Sequence, residues 1–460
     1  MKRFGLLGEH LSHSYSKIIH TSIFKSLNIE ATYSLLECKE EELKNYIELL
    51  KQGKYSGFNV TIPYKKTIIK YLDCIDEKAK AIGSVNTVYV KNGKVYGTNT
   101  DYDGFLETLK QYQIDVLNKE CYILGTGGAS LAVNKVLADF GGRCHFVSRT
   151  PKNEEIGYKD LETKKIDVLI NTTPVGMYPN VGFSPVSKEI ALKAGCVIDI
   201  IFNPLETQLL KDADSNINGL HMLVMQAIKA EEIWQGRMIE DTSIIFEDLK
   251  FILGLPLNMV KVVQNLNFKK DTLGCSQDEV YIFEDQFVVK ISSSKDQLLR
   301  EKERIDWLAD KIPGPKSIML EEHNSKFYYL RTCVNGDNLI SKRFLNNPFL
   351  LIETIKKVVD ILRSLDSYSC PFKSMESIGN SFIHGDLCLP NIYVNEKNEF
   401  AGFIDLDNAG LGDAWEDYAW LIWSFEYNLK TNKYTKDLLH ELGLEMNMEK
   451  YKQYVGNVEK

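Results

Sequence analysis

The chain has 460 residues, 44% apolar and 26% charged, a balance ordinary for a soluble globular protein and long enough for about three domains. A net charge of −8, a pI near 5.7 and the lack of any basic block argue against a nucleic-acid partner. No apolar run approaches the ~20 residues that span a bilayer, residues 1–8 lack the apolar core of a signal peptide, and the nine cysteines include no CxxC pair. The expectation is a cytoplasmic chain with reduced thiols, no membrane contact and no zinc site.

Residues 1 to about 100 alternate strands with helices. Residues 3–7 read as a strand and 16–27 as a helix, with Ile18, Ile19, Ile23, Phe24 and Leu27 at helical spacing. Residues 32–36 are a strand, 40–50 a helix and 55–60 a strand. Residues 85–90 and 94–97 flank Asn92-Gly93, a strong hairpin signal. This alternation predicts an α/β domain with a mostly parallel sheet and an added hairpin.

Three polar clusters fall at strand ends. In Asn59-Val-Thr-Ile-Pro-Tyr-Lys-Lys66, Pro63 pre-sets a helix start and apolar periodicity continues over 67–72. Asn59, Thr61 and Lys65 then crowd one corner with two neutral hydrogen-bonding groups and an ammonium. Such a lining suits a small polyhydroxylated molecule that exchanges a proton; the bland alternative is a solvated turn. In His13-Ser-Tyr-Ser16 the two seryl hydroxyls can hold a carboxylate at a helix N-terminus, or simply cap that helix. Asn86-Thr87 and Asn99-Thr-Asp101 bracket the hairpin, and capping alone would account for Asp101.

A second unit begins at Glu120. Residues 121–124 are a buried strand, Gly125-Thr-Gly127-Gly128-Ala129-Ser130 a glycine-rich turn, and 131–140 an apolar helix, the context of a dinucleotide fingerprint. The third glycine of that fingerprint is Ser130. The next strand, 143–147, ends in Ser148-Arg149-Thr150 with Lys152 beyond, where an NAD enzyme would carry Asp or Glu; these groups suit a 2′-phosphate and favour NADP. Strands 168–171 and 196–201 complete a Rossmann-like sheet, and helices 222–234 and 244–253 close the unit.

With these motifs in order, residues 1 to about 254 resemble shikimate dehydrogenase over their whole length. The resemblance implies a substrate domain (1–101) and an NADP domain (102–254) whose last helices return to the substrate domain. It implies that Ser14 and Ser16 hold the shikimate carboxylate, that Asn59, Lys65, Asn86 and Asp101 hold the ring hydroxyls with Thr61 in the same pocket, and that Lys65 and Asp101 are the catalytic pair. It places the turn Gly125 to Ser130 on the cofactor, Arg149 beside the adenosine phosphate, Asn171-Thr-Thr-Pro-Val-Gly-Met177 near the nicotinamide and Gln226 on the substrate. Phe202 stands where many relatives carry a tyrosine near the carboxylate. An ammonium held by a carboxylate can give a nascent alkoxide its proton and take it back in reverse. Quinate in place of shikimate, or a cofactor-binding regulator in place of an enzyme, are the competing readings.

The pattern changes near Gly254. Residues 255–270 read as a short bridging segment, and Gly274-Cys-Ser276 lies between strand-like stretches. Residues 286–291 form a strand carrying Lys290, and helix 298–308 carries Glu301. Downstream come His384-Gly-Asp-Leu-Cys-Leu-Pro-Asn391 and Phe403-Ile-Asp405. Together these are a phosphoryl-transfer kit: Lys290 on ATP phosphates, Asp386 on the acceptor hydroxyl, Asn391 and Asp405 on Mg²⁺. His-Gly-Asp, with Asp413-Ala-Trp-Glu-Asp-Tyr-Ala419, resembles aminoglycoside phosphotransferases over roughly 270–460, which implies an α+β two-lobed kinase-like domain. Only residues 373–382 stand where that family usually has a longer helical insert, so part of a drug-binding surface is expected to be missing. The acceptor stays open between shikimate, an aminoglycoside and another small molecule, as does a module without turnover. Residues 256–460 carry 25 Lys+Arg and 31 Asp+Glu, which mildly favours a cationic acceptor. A homodimer is left open.

Overall fold

The computed structural model describes residues 1–12, 14–264, 266–271, 278–365 and 367–456. It divides into two compact units, Met1–Gly254 and Leu255–Lys460.

The first unit opens with β1 (Lys2–Gly8), α1 (Ser16–Ser26), β2 (Ala31–Glu37), α2 (Leu43–Lys51), β3 (Gly57–Val60), β4 (Cys74–Ile75), α3 (Glu77–Ile82), β5 (Thr87–Lys91) and β6 (Lys94–Thr98). The sheet order is β2-β1-β3-β5-β6-β4, parallel at β2-β1-β3 and β6-β4 and antiparallel through the β5–β6 hairpin. Asn92 and Gly93 turn that hairpin with φ of 52° and 71°, the left-handed pair a tight two-residue turn requires. Leu43, Ile47 and Leu50 recur at helical spacing and bury α2 against Phe58 and Val88.

Then follow α4 (Thr100–Gln111), β7 (Glu120–Leu124), α5 (Gly128–Asp139), β8 (Arg143–Ser148), β9 (Ile156–Gly157), β10 (Val168–Asn171), α6 (Lys188–Lys193), β11 (Cys196–Asp199), α7 (Gln208–Lys211), β12 (Asn216–Ile217), α8 (Leu220–Gln235) and α9 (Thr242–Gly254). The second sheet, β12-β11-β10-β7-β8-β9, is parallel throughout and buried on both faces, the doubly wound arrangement expected of a Rossmann-like unit. Leu220, Val224, Ile228, Ile245 and Leu249 of α8 and α9 pack on Ile19 and Ile23 of α1, so the last helices lie on the first lobe.

The predicted helix after Pro63 is the main difference here. Residues 62–66 are turns and Thr67–Tyr71 is a short 3₁₀ helix. The Lys65 carbonyl accepts from Val85 N at 2.8 Å and so does not serve an α-helical ladder.

The second unit comprises α10 (Leu257–Val263), β13 (Phe268–Lys270), β14 (Glu279–Phe283), β15 (Phe287–Ser292), α11 (Lys295–Leu308), β16 (Ser317–His323), β17 (Lys326–Thr332), β18 (Asp337–Asn338), α12 (Lys342–Leu345) and α13 (Pro348–Ser364). After these come β19 (Ser381–Ile383), β20 (Ile392–Val394), β21 (Phe400–Phe403), β22 (Gly410–Gly412), α14 (Ala414–Leu429), α15 (Thr435–Leu442) and α16 (Met448–Val455). An antiparallel sheet, β13-β14-β15-β17-β16, carries α11; two small sheets, β18-β20-β21 and β19-β22, accompany the helical remainder. One core joins Leu298 and Ile305 of α11 to Val358, Phe403, Ile422 and Phe425. The bridging segment is thus a helix and a strand, with Met259, Val260 and Val263 buried, and falls within the second unit. Gly274-Cys-Ser276 lies outside the described residues.

Candidate functional site

Lys65 and Asp101 meet. Lys65 Nζ donates to Asp101 Oδ2 at 2.5 Å, and Asn86 Nδ2 donates to Asp101 Oδ1 at 2.9 Å. Capping does not explain Asp101: Asn99 is the cap of α4, its side chain accepting from Tyr102 N, which leaves the Asp101 carboxylate for the lysine. Asn86 Oδ1 accepts from Thr100 N at 2.7 Å and from the Thr87 hydroxyl at 3.0 Å, so its amide is oriented with the donor end toward Asp101.

Asn59 is buried, with its amide engaged by the protein. Tyr33 OH donates to its Oδ1 at 2.7 Å, while Nδ2 donates to Asn86 O at 3.3 Å and Thr87 Oγ1 at 3.1 Å. Behind it the His20 ring stacks on Tyr33 at 4.2 Å and its Nδ1 lies 2.6 Å from Glu231 Oε1 of α8. Burial, then the Glu231 carboxylate, hold the Tyr33 phenol well above its usual range. Nothing in the sequence marked Tyr33, His20 or Glu231, because each sits in a buried, core-like position of its element. Tyr33→Phe leaves a buried amide oxygen without its donor, and an unfolding measurement is expected to show a loss of about 1–3 kcal/mol.

Thr61 follows β3, its N–H on Leu7 O at 3.0 Å. The Ser14 and Ser16 hydroxyls lie 3.2 Å apart at the start of α1. Tyr15 between them is edge-on to Phe202 at 5.1 Å, and its hydroxyl accepts from Asn203 Nδ2 at 3.3 Å. Gln226 on α8 is brought beside α4 by Gly104, where a Cβ would fall 2.5 Å from Met222 O and 3.0 Å from the Gln226 backbone.

The glycine turn connects β7 to α5. Gly125 has φ +103° and Gly127 caps the helix whose first residues are Gly128, Ala129 and Ser130. Ser130 in the third fingerprint position ties its hydroxyl to Gly127 O at 2.6 Å, which braces the turn from inside. The Ser148 hydroxyl accepts from Thr150 N at 3.3 Å at the end of β8, and Arg149 is exposed beside them. A cradle of bare amides at a twelve-residue helix, with a cation on the next strand end, fits a dinucleotide carrying an extra phosphate.

Asp199 ends β11 fully buried, accepting from Asn171 Nδ2, Ile201 N and the Thr207 hydroxyl. Burial raises its carboxyl from 3.8 to about 6 despite those donors. The folded state therefore holds a proton that the unfolded chain has released, and this group's contribution to stability falls as pH rises from about 4 to about 6. Asp199→Asn is expected to gain roughly 2–3 kcal/mol relative to the parent between those pH values, read from unfolding curves.

In the second unit Lys290 Nζ of β15 lies 3.1 Å from Glu301 Oε2 of α11, 3.4 Å from Asp405 Oδ1 and 3.7 Å from Asp278 Oδ2. Burial pulls the ammonium down, but Glu301 and Asp405 outweigh it and hold the pKa above the usual lysine range. Asn391 Nδ2 donates to Asp386 Oδ2 at 2.9 Å. The loop is fastened from α14: Asp417 accepts from His384 N at 2.7 Å and Gly385 N at 2.8 Å. Burial pushes the Asp417 carboxyl up to about 7. His384 presents Nε2 to Ile404 O and accepts Asp386 N on Nδ1, the neutral tautomer that burial favours. Asp278 and Arg331, the latter 3.6 Å from Glu301, were not singled out by sequence; neither stands in a motif.

A lysine–carboxylate pair beside a glycine-turn Rossmann sheet is the arrangement of an NADP-type oxidoreductase, and the second unit adds a buried lysine among carboxylates. A model for the shikimate dehydrogenase substrate binding domain matches residues 6–88, and one for the phosphotransferase enzyme family matches 376–446. Shikimate dehydrogenase (NADP(+)) of Clostridium beijerinckii is 47% identical over 255 residues, 52% of this chain and 94% of that protein. Crystal structures of shikimate dehydrogenase 1 from Peptoclostridium difficile (42% identity, 55% of this chain, 99% of that one, TM-score 0.52) and of shikimate 5-dehydrogenase from Thermus thermophilus with NADP(H) and shikimate (30%, 55%, 99%, TM-score 0.51) share the fold. The chain belongs to the shikimate dehydrogenase family.

Proposed function

We propose that residues 1–254 catalyse the NADP-dependent, reversible reduction of 3-dehydroshikimate to shikimate, a step of chorismate and aromatic amino acid biosynthesis. One observation carries this reading. The Lys65 ammonium rests on Asp101, while its stem reaches the cofactor turn: a Cβ placed on Gly128 would lie 3.6 Å from Lys65 Cδ. Proton donor and dinucleotide cradle therefore adjoin. NADP(H), when bound, supplies or accepts the hydride. Lys65 donates the proton to the forming alkoxide and removes it in the oxidative direction, with Asp101 orienting the ammonium. Ser14 and Ser16 take the carboxylate, and Thr61, Asn86, Asp101 and Gln226 the ring hydroxyls. Asn59, whose amide nitrogen reaches Asn86 and Thr87, is assigned to the same ring hydroxyls. Gly125, Gly127, Gly128, Ala129 and Ser130 cradle the pyrophosphate, with Ser148, Arg149 and Thr150 on the 2′-phosphate side. Among the described residues no helix is long and apolar enough to cross a membrane, and a cytoplasmic location agrees with reduced thiols.

The second unit is read as an ATP-dependent small-molecule phosphotransferase. Lys290, oriented by Glu301, holds nucleotide phosphates, Asp386 orients the acceptor hydroxyl, and Asn391 with Asp405 is the sparse oxygen set that Mg²⁺ takes when phosphates complete it. Purified full-length protein mixed with shikimate and NADP⁺ tests the first reading through absorbance of the reduced cofactor; no turnover with shikimate or quinate sinks it. ATP consumption with shikimate or a kanamycin-like amine tests the acceptor, and both drop out if neither raises turnover above background.

A further inference from the structure

Among the described residues, Ser84 is a buried polar group without a partner. It follows α3, is fully buried, and its hydroxyl makes no hydrogen bond, although its carbonyl accepts from Asn99 Nδ2 at 2.9 Å. A buried hydroxyl left unpaired costs free energy, so such a group calls for an explanation. Its location supplies one. A Cβ placed on Gly128 would lie 3.6 Å from Ser84 Oγ, the same distance as from Lys65 Cδ. The hydroxyl thus faces the first residue of the twelve-residue α5, where backbone amides have no intrahelical acceptor and a phosphate is favoured.

We propose that Ser84 is a cofactor contact, its hydroxyl donating to a phosphate oxygen of the dinucleotide seated on the α5 N-terminus. This deepens the NADP reading and rests on it. At Gly128 the turn presents bare backbone beside Ser84 Oγ and Lys65 Cδ, the two atoms that a side chain's first carbon there would touch. The residue then links the two halves of the site: its neighbour Val85 N holds the Lys65 carbonyl at 2.8 Å, and Asn86 follows next. Without cofactor the hydroxyl destabilises the protein; with cofactor it becomes a charge-assisted donor.

The test is Ser84→Ala, which removes one oxygen and adds no bulk. Titration with NADP⁺ and with 2′-phospho-ADP-ribose, which keeps the diphosphate and lacks nicotinamide, is expected to show about tenfold weaker binding of both. The KM for shikimate should stay within about twofold, and the unliganded variant should melt at the same or a higher temperature. Unchanged affinity for both probes overturns the contact. A loss confined to NADP⁺ overturns the phosphate assignment, and a lower melting temperature overturns the unpartnered hydroxyl itself. If the parent protein binds neither probe, the NADP reading fails and not the Ser84 assignment alone.

Discussion

Lys65→Met is expected to lower shikimate oxidation by about 10²–10⁴-fold while NADP⁺ binding persists, because a positioned proton-transfer group is worth that much and the cofactor cradle is built elsewhere. Methionine preserves the stem's length beside Gly128, so packing against the turn is kept and only the ammonium is lost. Asp101 keeps its bond to Asn86 Nδ2 at 2.9 Å and does not become an unpaired carboxylate. Steady-state rates with shikimate and NADP⁺, set beside a cofactor titration, separate the two effects. Asp101→Asn is expected to fall in the same range, since it retains the hydrogen-bonding outline and loses the charge that orients the ammonium. A variant that turns over at the parent rate removes Lys65 from the proton path. One that also loses NADP⁺ binding reassigns it to holding the cofactor.

Much of this site is legible in the sequence because local signals coincide. A strand end, a lysine six residues beyond Asn59, a hairpin and a fingerprint turn each have short-range patterns. Asp101 illustrates the limit. At the head of a helix an aspartate and an asparagine compete for the same capping role, and only the structure shows Asn99 taking it. The support behind the pocket was illegible for another reason. His20 and Glu231 pair across 211 residues, and His20 sits next to Ile19 on a helix whose apolar face reads as ordinary core. The segment after Gly254 reads as a short, packed connection because its composition is not that of a flexible linker, but its apolar stripe is too short to mark a helix. The seven-residue α10 is held by tertiary burial of Met259 and Val263. In the second unit the order of Lys290, Glu301, Asp386, Asn391 and Asp405 was readable, whereas Asp278 and Arg331 enter only through the sheet and its neighbours.

Those two residues shape what Lys290→Met should do. Lys290 is the cation nearest three carboxylates, and Glu301, fully buried, is left with Arg331 Nε at 3.6 Å when the ammonium goes. Removing one member of a buried pair strands the other, at a cost of about 3–5 kcal/mol, so the second unit should unfold at markedly lower temperature. ATP with Mg²⁺ should no longer raise that temperature, since ligand-induced stabilisation vanishes with affinity. The two losses have different origins, and the double variant Lys290→Met/Glu301→Gln separates them. It removes the stranded charge and should recover much of the stability, yet it still lacks the ammonium proposed to hold the phosphates and should remain unresponsive to ATP. A single variant that keeps its ATP response means the phosphates are held by another group. A single variant as stable as the parent means that Arg331 alone suffices for Glu301, and the strand lysine is then free to leave the pair and serve the nucleotide at little cost to the fold.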